Sequence, residues 1–138
     1  MERTLAIVKP DAFKRGHVGD ILKRIEASGL GLRALKLMHL TRAQAQSFYE
    51  VHKARPFYNS LCEYMSSGPV VIAVLEGEGA ITRWRELMGA TDPAKAAPGT
   101  IRKEFGLNVE QNATHGSDAP ETAAREIAFF FSGLDIAA

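Results

Sequence analysis

The feature that most constrains the fold is an unbroken apolar run at residues 70–75, with the sequence Val-Val-Ile-Ala-Val-Leu. It follows the turn-forming residues Ser67-Gly68-Pro69 and is the longest all-apolar stretch of the chain. A continuous apolar run, without alternating polar residues, is typical of a strand that neighbouring elements cover on both faces. We therefore predict a strand here that is buried on both sides, or nearly so.

Strands and helices before this run are predicted from apolar spacing and from the residues that stop each segment. Residues 5–8 predict a buried strand that ends at Pro10, and residues 18–28 predict a helix that ends at two glycines. Residues 34–40 predict a second strand, with a helix as the alternative interpretation.

Three further helices are predicted around the central run. Thr41-Arg42-Ala43-Gln44 is a capping-box pattern that opens one helix. A second is predicted over residues 58–65, after the interruption at Arg55-Pro56. Residues 80–88 have the spacing of an amphipathic helix, with Gly89 as its C-terminal stop.

The part of the chain after residue 89 combines a weakly patterned segment with a final helix. Residues 90–110 are rich in Pro, Gly, Ala and charge, and a long segment of this kind inside a compact domain is often functional. A short strand can follow it, and Asp118-Ala119-Pro120-Glu121 can cap a last helix. That helix carries apolar residues on one side, namely Ala124, Ile127, Ala128 and Phe131.

The predicted order of elements is strand, helix, strand, helices, strand, helix, long loop, short strand and helix. This is the βαββαβ order of a ferredoxin-like fold. We therefore predict an α/β (α+β) fold in which a four-stranded antiparallel sheet has helices packed on one face, with extensions and a long loop before His115. No linker, repeat or low-complexity segment divides the chain, so residues 1–138 are predicted to form one domain.

The composition excludes several classes of protein. With 17 Lys and Arg against 16 Asp and Glu, the formal charge is +1 and no basic stripe is visible, so no dedicated nucleic-acid site is predicted. The single cysteine allows no intrachain disulfide, which fits a reducing compartment. No apolar stretch has the length of a membrane helix or a signal peptide, and we predict a cytoplasmic protein.

Familiar phosphate and metal motifs are absent from the sequence. It contains neither a Walker A loop nor the H-R-D and D-F-G segments of protein kinases. The four histidines and the single cysteine lack the spacing of zinc ligands, so no metal held by protein ligands is predicted.

The segment Asn112-Ala113-Thr114-His115-Gly116-Ser117-Asp118 is the most informative for chemistry. His115 lies beside a glycine and just before a predicted helix N-terminus, a position that favours anions. A neutral imidazole offers an unprotonated nitrogen as a nucleophile at physiological pH. From this local pattern alone, a capping or surface histidine is the more frequent alternative.

The chain resembles the nucleoside diphosphate kinase family over nearly its whole length. The pattern Asn-x-x-His-Gly-Ser-Asp is similar to the signature of that family, whose histidine carries a phosphoryl group. Other segments resemble the family in the same order, namely residues 4–11, 48–49, 55–58, 65–76, 85–93 and 98–102. The family's usual apolar residue before the histidine is Thr114 here, a departure from which we expect little consequence.

The resemblance implies a catalytic group around His115. Lys9 is expected near the transferred phosphate and the sugar hydroxyl, with Tyr49 supporting Lys9 and the histidine. Glu126 is expected to orient the imidazole ring by hydrogen bonding, assisted by Ser117. From the residues alone, an edge charge at Lys9, a core position for Tyr49 and a solvent-facing Glu126 are the alternatives.

The resemblance also implies a nucleotide-binding group. Arg85 and Arg102, whose planar guanidinium groups suit phosphate oxygens, are expected at the β- and γ-phosphates together with the Thr91 hydroxyl. Phe57 is expected to stack on the base, which any base allows, and Asn112 is expected to face the ribose. A solvated helix face for Arg85 and a core position for Phe57 are the alternatives.

The activity that the resemblance implies is a ping-pong transfer of the γ-phosphoryl group between nucleotides, which balances nucleotide pools. A nucleoside triphosphate such as ATP would phosphorylate His115, and a nucleoside diphosphate such as GDP would accept the group, with broad tolerance of base and sugar. Mg²⁺ bound mainly through the nucleotide phosphates, and a homo-tetramer or homo-hexamer, are also expected. A ferredoxin-like module that binds nucleotide or RNA without chemistry, and an interaction or regulatory protein, are the alternatives.

Overall fold

The computed structural model describes residues 1–138 and contains one four-stranded antiparallel sheet. The strands lie in the order β2-β3-β1-β4, which is the ferredoxin-like order predicted from the sequence. Their bounds are Glu2–Val8 for β1, Gly31–Met38 for β2, Val70–Gly77 for β3 and Thr114–Gly116 for β4.

Seven α-helices and three short 3₁₀ segments connect and cover the strands. The helices are α1 (Pro10–Lys14), α2 (Val18–Ala27), α3 (Arg42–Phe48), α4 (Tyr58–Met65), α5 (Ala80–Met88), α6 (Ile101–Phe105) and α7 (Pro120–Phe130). The 3₁₀ segments are Glu50–His52, Pro93–Lys95 and Gly133–Asp135. None of the helices combines the length and the apolar character that crossing a membrane requires.

The apolar run in β3 is buried on both faces, as its sequence predicts. Because successive side chains of a strand point to opposite faces, β3 contributes to two separate cores. Val70, Ile72 and Val74 belong to one cluster of 15 buried residues, whereas Val71 and Ala73 belong to a second cluster of 15.

Helices cover both faces of the sheet. The two helices of the βαββαβ order, α2 and α5, pack on one face through residues such as Ile21, Ile25 and Trp84. The additional helices α3, α4 and α7 pack on the other face through residues such as Phe48 and Met65. The prediction of helices on one face therefore describes the ferredoxin-like unit, and the extensions enclose the opposite face.

Local sequence signals account for several helix boundaries. The predicted capping box at α3 is present, because Thr41 Oγ1 accepts from the Gln44 backbone and the Gln44 side chain accepts from the Thr41 backbone. α4 has the predicted bounds, and α5 ends at Gly89 with a φ of +87°. A Cβ atom at Gly89 would come within 2.6 Å of the Thr100 side chain, so glycine permits a close approach there.

Two predictions about the C-terminal half were wrong. Residues 90–110 are not a plain loop, because they contain the 3₁₀ segment and the five-residue helix α6. The buried face of α7 consists of Ala123, Ile127 and Phe130, so the prediction was wrong for Ala124 and Ala128, which are exposed. Ile127 and Phe131 are buried as predicted. The helix is thus rotated relative to the face inferred from its alanines, because small apolar residues carry little information about burial.

Candidate active site

The sheet brings His115 and Lys9 to the same cleft. His115 lies in β4 opposite Ile7 of β1, and Lys9 follows β1 directly. The cleft has a volume of about 490 Å³. Eight of the ten residues predicted to form the site line it, namely Lys9, Tyr49, Phe57, Arg85, Thr91, Arg102, Asn112 and His115.

The other two predicted residues, Ser117 and Glu126, form a hydrogen-bonded chain with the imidazole of His115. Glu126 Oε1 lies 2.9 Å from His115 Nε2 and accepts a second hydrogen bond from Ser117 Oγ, also at 2.9 Å. Ser117 Oγ in turn accepts from the backbone N–H of Leu5 in β1 at 3.1 Å. The chain ties the ring to the central part of the sheet.

The charge state of Glu126 identifies the proton on the ring. Burial raises the pKa of the Glu126 carboxyl, but hydrogen bonds from His115 and Ser117 outweigh it and hold the pKa below its usual value. An ionised carboxylate can only accept, so Nε2 of His115 carries the hydrogen. In the neutral ring, the free lone pair is therefore on Nδ1.

Aromatic and backbone contacts also hold His115. The rings of Phe48 and Tyr49 meet the imidazole edge-on, with centroid distances of 5.6 Å and 6.4 Å. Trp84 Nε1 donates to the His115 carbonyl at 3.1 Å. A Cβ atom at Gly116 would lie 2.6 Å from Trp84 Cδ1, which explains why the residue after the histidine has no side chain.

Lys9 is the most deeply buried amine of the cleft and is 7% exposed. Its Nζ donates to Asn112 Oδ1 at 2.8 Å and to the Glu110 carbonyl at 3.3 Å. Burial, and then the nearby charge of Arg102, lower the Lys9 pKa to about 8, although Asp11 and Glu110 oppose the shift. A bound anion would stabilise the charged form of this amine.

Arg102 is buried beside the cleft and only partly paired. Its terminal nitrogens donate to the Gly89 carbonyl at 3.1 Å and to the Thr114 carbonyl at 2.9 Å, while Nε is buried without a partner. Burial, and then the charge of Arg85, lower the Arg102 pKa to about 10. The guanidinium therefore stays charged at neutral pH.

Arg85 is more accessible than Arg102 and has a carboxylate partner. Its guanidinium donates to Asp118 at 2.7 Å, and the two side chains are 45% and 77% exposed. Asp118 was predicted to help cap the last helix, but Ala119 is the N-cap residue of α7 and Asp118 pairs across the cleft instead. Such an exposed ion pair contributes little stability, about 0–1 kcal/mol.

Asn112 and Thr91 join the loop to β4. The Asn112 amide accepts from Lys9 and donates to the Thr91 carbonyl at 3.0 Å, so both of its polar atoms are used within the protein. The Thr91 side chain is exposed on the cleft surface. This arrangement fixes Lys9 and Thr91 relative to the strand that carries the histidine.

Apolar side chains line the mouth of the cleft. Phe57 is 46% exposed, and Val109, which lines the same cleft, is 57% exposed. Leu61 lies in the same lining, and His52 packs on Phe57 with a centroid distance of 5.5 Å. Exposed apolar groups in a cleft lining suit contact with a planar ring.

The sequence did not identify six lining residues, which are His52, Leu61, Val109, Glu110, Gly116 and Asp118. Gly116 and Asp118 belong to the histidine motif, so their position in the motif was an available signal. Leu61 and Val109 have no local signal, because a single apolar residue is ordinarily part of the core.

Comparison with known proteins supports the resemblance. The family model described as nucleoside diphosphate kinase matches residues 2–136. The nucleoside diphosphate kinase of Ruegeria sp. (strain TM1040) is 61% identical over 136 residues, which cover 99% of this chain and 97% of that protein. The one from Dinoroseobacter shibae is 62% identical, with the same coverage.

Solved structures resemble this chain in fold as well as in sequence. A crystal structure of the Aquifex aeolicus nucleoside diphosphate kinase is 54% identical and superposes with a TM-score of 0.96, covering 98% of both chains. A halophilic nucleoside diphosphate kinase from Halobacterium salinarum, solved in complex with CDP, is 42% identical with a TM-score of 0.95. This second alignment covers 99% of this chain and 91% of the Halobacterium chain.

Proposed function

The chain belongs to the nucleoside diphosphate kinase family of enzymes, and from this premise we propose that it transfers a γ-phosphoryl group through a phosphohistidine on His115. The donor is a nucleoside triphosphate such as ATP, and the acceptor is a nucleoside diphosphate such as GDP. The observation that supports this mechanism best is the hydrogen bond between His115 Nε2 and Glu126 Oε1 at 2.9 Å. It leaves Nδ1 as the ring nitrogen with a free lone pair.

In the first half-reaction, His115 Nδ1 attacks the γ-phosphorus in line with the leaving oxygen. The N–P bond forms, the bond between the γ-phosphorus and the β–γ bridging oxygen breaks, and the bond electrons leave with the nucleoside diphosphate. The ring gains positive charge, which the Glu126 carboxylate stabilises through Nε2–H. The second half-reaction reverses these steps with another nucleoside diphosphate.

The cationic side of the cleft supplies the electrostatic part of catalysis. Lys9, Arg85 and Arg102 line the same cleft as His115. Negative charge spreads over the equatorial oxygens of the transferred group in the transition state, and fixed cations stabilise it. The Nε of Arg102 has no hydrogen-bond partner within the protein, so it remains a free donor.

Broad base tolerance follows from the character of the cleft mouth. Phe57, Leu61 and Val109 offer apolar surface against which any base can stack, without hydrogen bonds that select one base. The Halobacterium relative was solved with CDP, which supports nucleotide binding in this family. Both polar atoms of the Asn112 amide already have partners within the protein. A contact with the ribose would therefore have to be made in addition to these hydrogen bonds.

Magnesium fits this cleft as an ion held mainly by the nucleotide. No group of three or more His, Cys, Asp and Glu side chains could hold a metal ion, and the only carboxylates in the lining are Glu110 and Asp118. When bound through the nucleotide, Mg²⁺ would neutralise part of the charge of the phosphates. The side chain of Asp118, which is 77% exposed, could accept a hydrogen bond from a water molecule of the ion.

A homo-tetramer or homo-hexamer stays a prediction from the family resemblance, as does a cytoplasmic location. Nucleotide-pool balancing is the physiological role that the proposed chemistry supports.

The experiment that tests the mechanism is transfer of label through the protein. The wild type is incubated with γ-labelled ATP and Mg²⁺, and we expect an acid-labile, base-stable protein phosphate that disappears when GDP is added. His115→Ala should not be labelled, whereas His39→Ala, a histidine bonded to the Ser66 carbonyl, should be labelled normally. Nucleotide binding without labelling of the wild type would instead support a module without chemistry, and equal labelling of His115→Ala would exclude this nucleophile.

A further inference from the structure

The backbone two residues before His115 has an unusual conformation. Ala113 has a φ of +75° and is the one non-glycine residue of the chain with positive φ. The Thr114 N–H donates to the Asn112 carbonyl at 2.9 Å, which closes a three-residue γ-turn around Ala113. A γ-turn with positive φ is rare, and it is strained for a residue other than glycine.

Two hydrogen bonds hold Ala113 in this conformation. Its N–H donates to Asp11 Oδ2 at 3.1 Å, and its carbonyl accepts from the Lys9 N–H at 2.8 Å. Ala113 is completely buried, so water offers no alternative partner for either group. The turn thus depends on the segment that follows β1.

A tyrosine from a different helix fixes the Asp11 side chain. Tyr64 in α4 donates its hydroxyl hydrogen to Asp11 Oδ1, and the Asp11 N–H donates to the same hydroxyl oxygen at 3.0 Å. Asp11 is 6% exposed, and neither Asp11 nor Tyr64 lines the cleft. Both carboxylate oxygens of Asp11 are therefore engaged away from any ligand, one by Tyr64 and the other by Ala113.

We propose that Asp11 and Tyr64 are positioning residues for the phosphoryl transfer, because they clamp the strained turn at Ala113 and so set the position of His115 in the cleft. The proposal rests on the proposed function of His115. Neither residue touches the nucleotide or the reacting atoms.

The clamp acts on both sides of the reacting group. On one side of the turn, Asn112 accepts from the Lys9 amine and donates to the Thr91 carbonyl. On the other side, the Thr114 carbonyl accepts from Arg102, and the next residue is His115. If Ala113 relaxed to a negative φ, Asn112 and His115 would shift relative to one another, and with them the distance between the nucleophile and the cations.

The first test compares two tyrosines of the same helix. Tyr64→Phe removes the hydroxyl that holds Asp11, whereas Tyr58→Phe removes a hydroxyl that donates to the Gln46 carbonyl outside the cleft. We expect Tyr64→Phe to lower the single-turnover rate of His115 phosphorylation on the order of tenfold, since small displacements of reacting groups have effects of this size or larger. The dissociation constant of Tyr64→Phe for ADP should stay within about twofold of wild type, and so should the phosphorylation rate of the control Tyr58→Phe.

The second test uses glycine to remove the need for the clamp. Asp11→Ala should lower the phosphorylation rate more than Tyr64→Phe, on the order of a hundredfold. Glycine adopts positive φ without a steric penalty, so Ala113→Gly in the Asp11→Ala background should recover at least about tenfold of the rate. The melting temperature should change little with this recovery, because glycine relieves the strain of positive φ but adds freedom to the unfolded chain.

Provided that the wild type is labelled normally, any of three outcomes would overturn the proposal. The phosphorylation rate of Asp11→Ala could stay within about twofold of wild type, or its defect could consist only of weaker ADP binding. The third outcome is that the double variant recovers none of the phosphorylation rate. If Asp11→Ala fails to fold, the Tyr64→Phe and Tyr58→Phe pair still decides the question. Failure of the wild type to form phosphohistidine would instead contradict the proposed function itself.

Discussion

On one side of the cleft, His115 Nε2, Glu126 Oε1 and Ser117 Oγ form a chain of hydrogen bonds that reaches the backbone of β1 and leaves His115 Nδ1 free. On the other side, the cations are only partly paired. Arg102 Nε is buried without a partner, and the Arg85 guanidinium meets an exposed carboxylate at the cleft edge. Tyr49, whose ring meets that of His115 edge-on, also has a buried hydroxyl without a partner.

The difference indicates which parts of the site the protein completes and which parts a ligand completes. A buried polar atom without a hydrogen bond costs about 1–3 kcal/mol, so such atoms rarely persist without a function. The nucleophile is already oriented, whereas the buried donors at Arg102 and Tyr49 have no partner within the protein, and we expect phosphate oxygens to supply one when the nucleotide binds. Changes on the two sides should therefore have different signatures in rate, in affinity and in stability.

The largest effect is expected from Arg102→Lys. Lysine keeps the charge but loses Nε and the planar geometry that suits phosphate oxygens. We expect the rate of phosphohistidine formation to fall about 10²–10³-fold, as for the loss of one preorganised donor in other enzymes. Single-turnover labelling with γ-labelled ATP measures this rate.

The control for this change is another arginine that bonds to the backbone. Arg15→Lys removes a guanidinium that donates to the Phe105 carbonyl at 2.6 Å outside the cleft, so it reports the structural part of such a loss. Thermal unfolding should show a similar destabilisation of the two variants, while only Arg102→Lys loses rate. A rate for Arg102→Lys close to that of Arg15→Lys would mean that Arg102 only supports Gly89 and Thr114.

Glu126→Gln tests the completed side of the cleft and should have the next largest effect. The neutral amide stabilises a charged imidazole poorly and can donate to Nε2, which would move the ring hydrogen to Nδ1. We expect the phosphorylation rate to fall about tenfold to a hundredfold, the range typical of carboxylates that orient a histidine. ADP affinity should hardly change, because Glu126 does not line the cleft.

Glu121→Gln on the same helix is the matched control, since this glutamate is exposed at the first turn of α7. It should keep the wild-type rate. A full rate for Glu126→Gln would show that Ser117 and the neighbouring rings orient His115 without the carboxylate.

The sequence predicted the histidine side of the cleft, which the protein itself completes, better than the side that carries the partly paired cations. β1, α2, α4 and β3 follow from apolar spacing and turn residues, and the histidine motif drew attention to His115 and Ser117. The helix α6 was missed because five residues are too few for periodicity to show. Thr100 caps it through its side chain, but a single threonine before a charged segment is a weak signal.

Contacts between residues distant in sequence could not be read from local patterns. Asp11 and Tyr64 are 53 positions apart, and Arg85 and Asp118 are 33 positions apart. The positive φ of Ala113 is equally hidden, because alanine carries no preference for that conformation. The family resemblance implied roles for Lys9 and Arg102. It did not indicate that their hydrogen bonding is less complete than that of the chain at His115.

The pH dependence of nucleotide binding tests the charge of Lys9, one of the cations of the cleft. Its pKa in the folded protein is about 8, below the ordinary value of 10.5, mainly because of burial. A bound phosphate favours the charged amine, so we expect ADP affinity to fall as pH rises above about 8, by up to about tenfold per pH unit. Isothermal titration between pH 7 and pH 10 would measure the slope, which should be smaller in Lys9→Met.

The stability of the protein without nucleotide should rise with pH, whereas the affinity for ADP should fall. Between pH 8 and pH 10.5 the unfolded chain holds the Lys9 proton and the folded chain has lost it, so the free energy of unfolding from this group rises with pH. The rise should be on the order of 1–3 kcal/mol and should be missing from Lys9→Met. Urea unfolding of both proteins tests this, and equal pH dependence in the two would show that Lys9 titrates normally.

The smallest effect is expected from Tyr49→Phe, and its direction differs between stability and rate. Burial raises the pKa of the Tyr49 hydroxyl, so this group stays protonated and can only serve the ligand as a neutral hydroxyl. Removing an unpaired buried hydroxyl should leave the free energy of unfolding unchanged or raise it by less than about 1 kcal/mol. Losing one hydrogen bond to a phosphate oxygen should lower the phosphorylation rate by about twofold to tenfold. A protein that loses stability but no rate would mean that Tyr49 acts through packing on His115, and the incomplete side of the cleft would then consist of the cations alone.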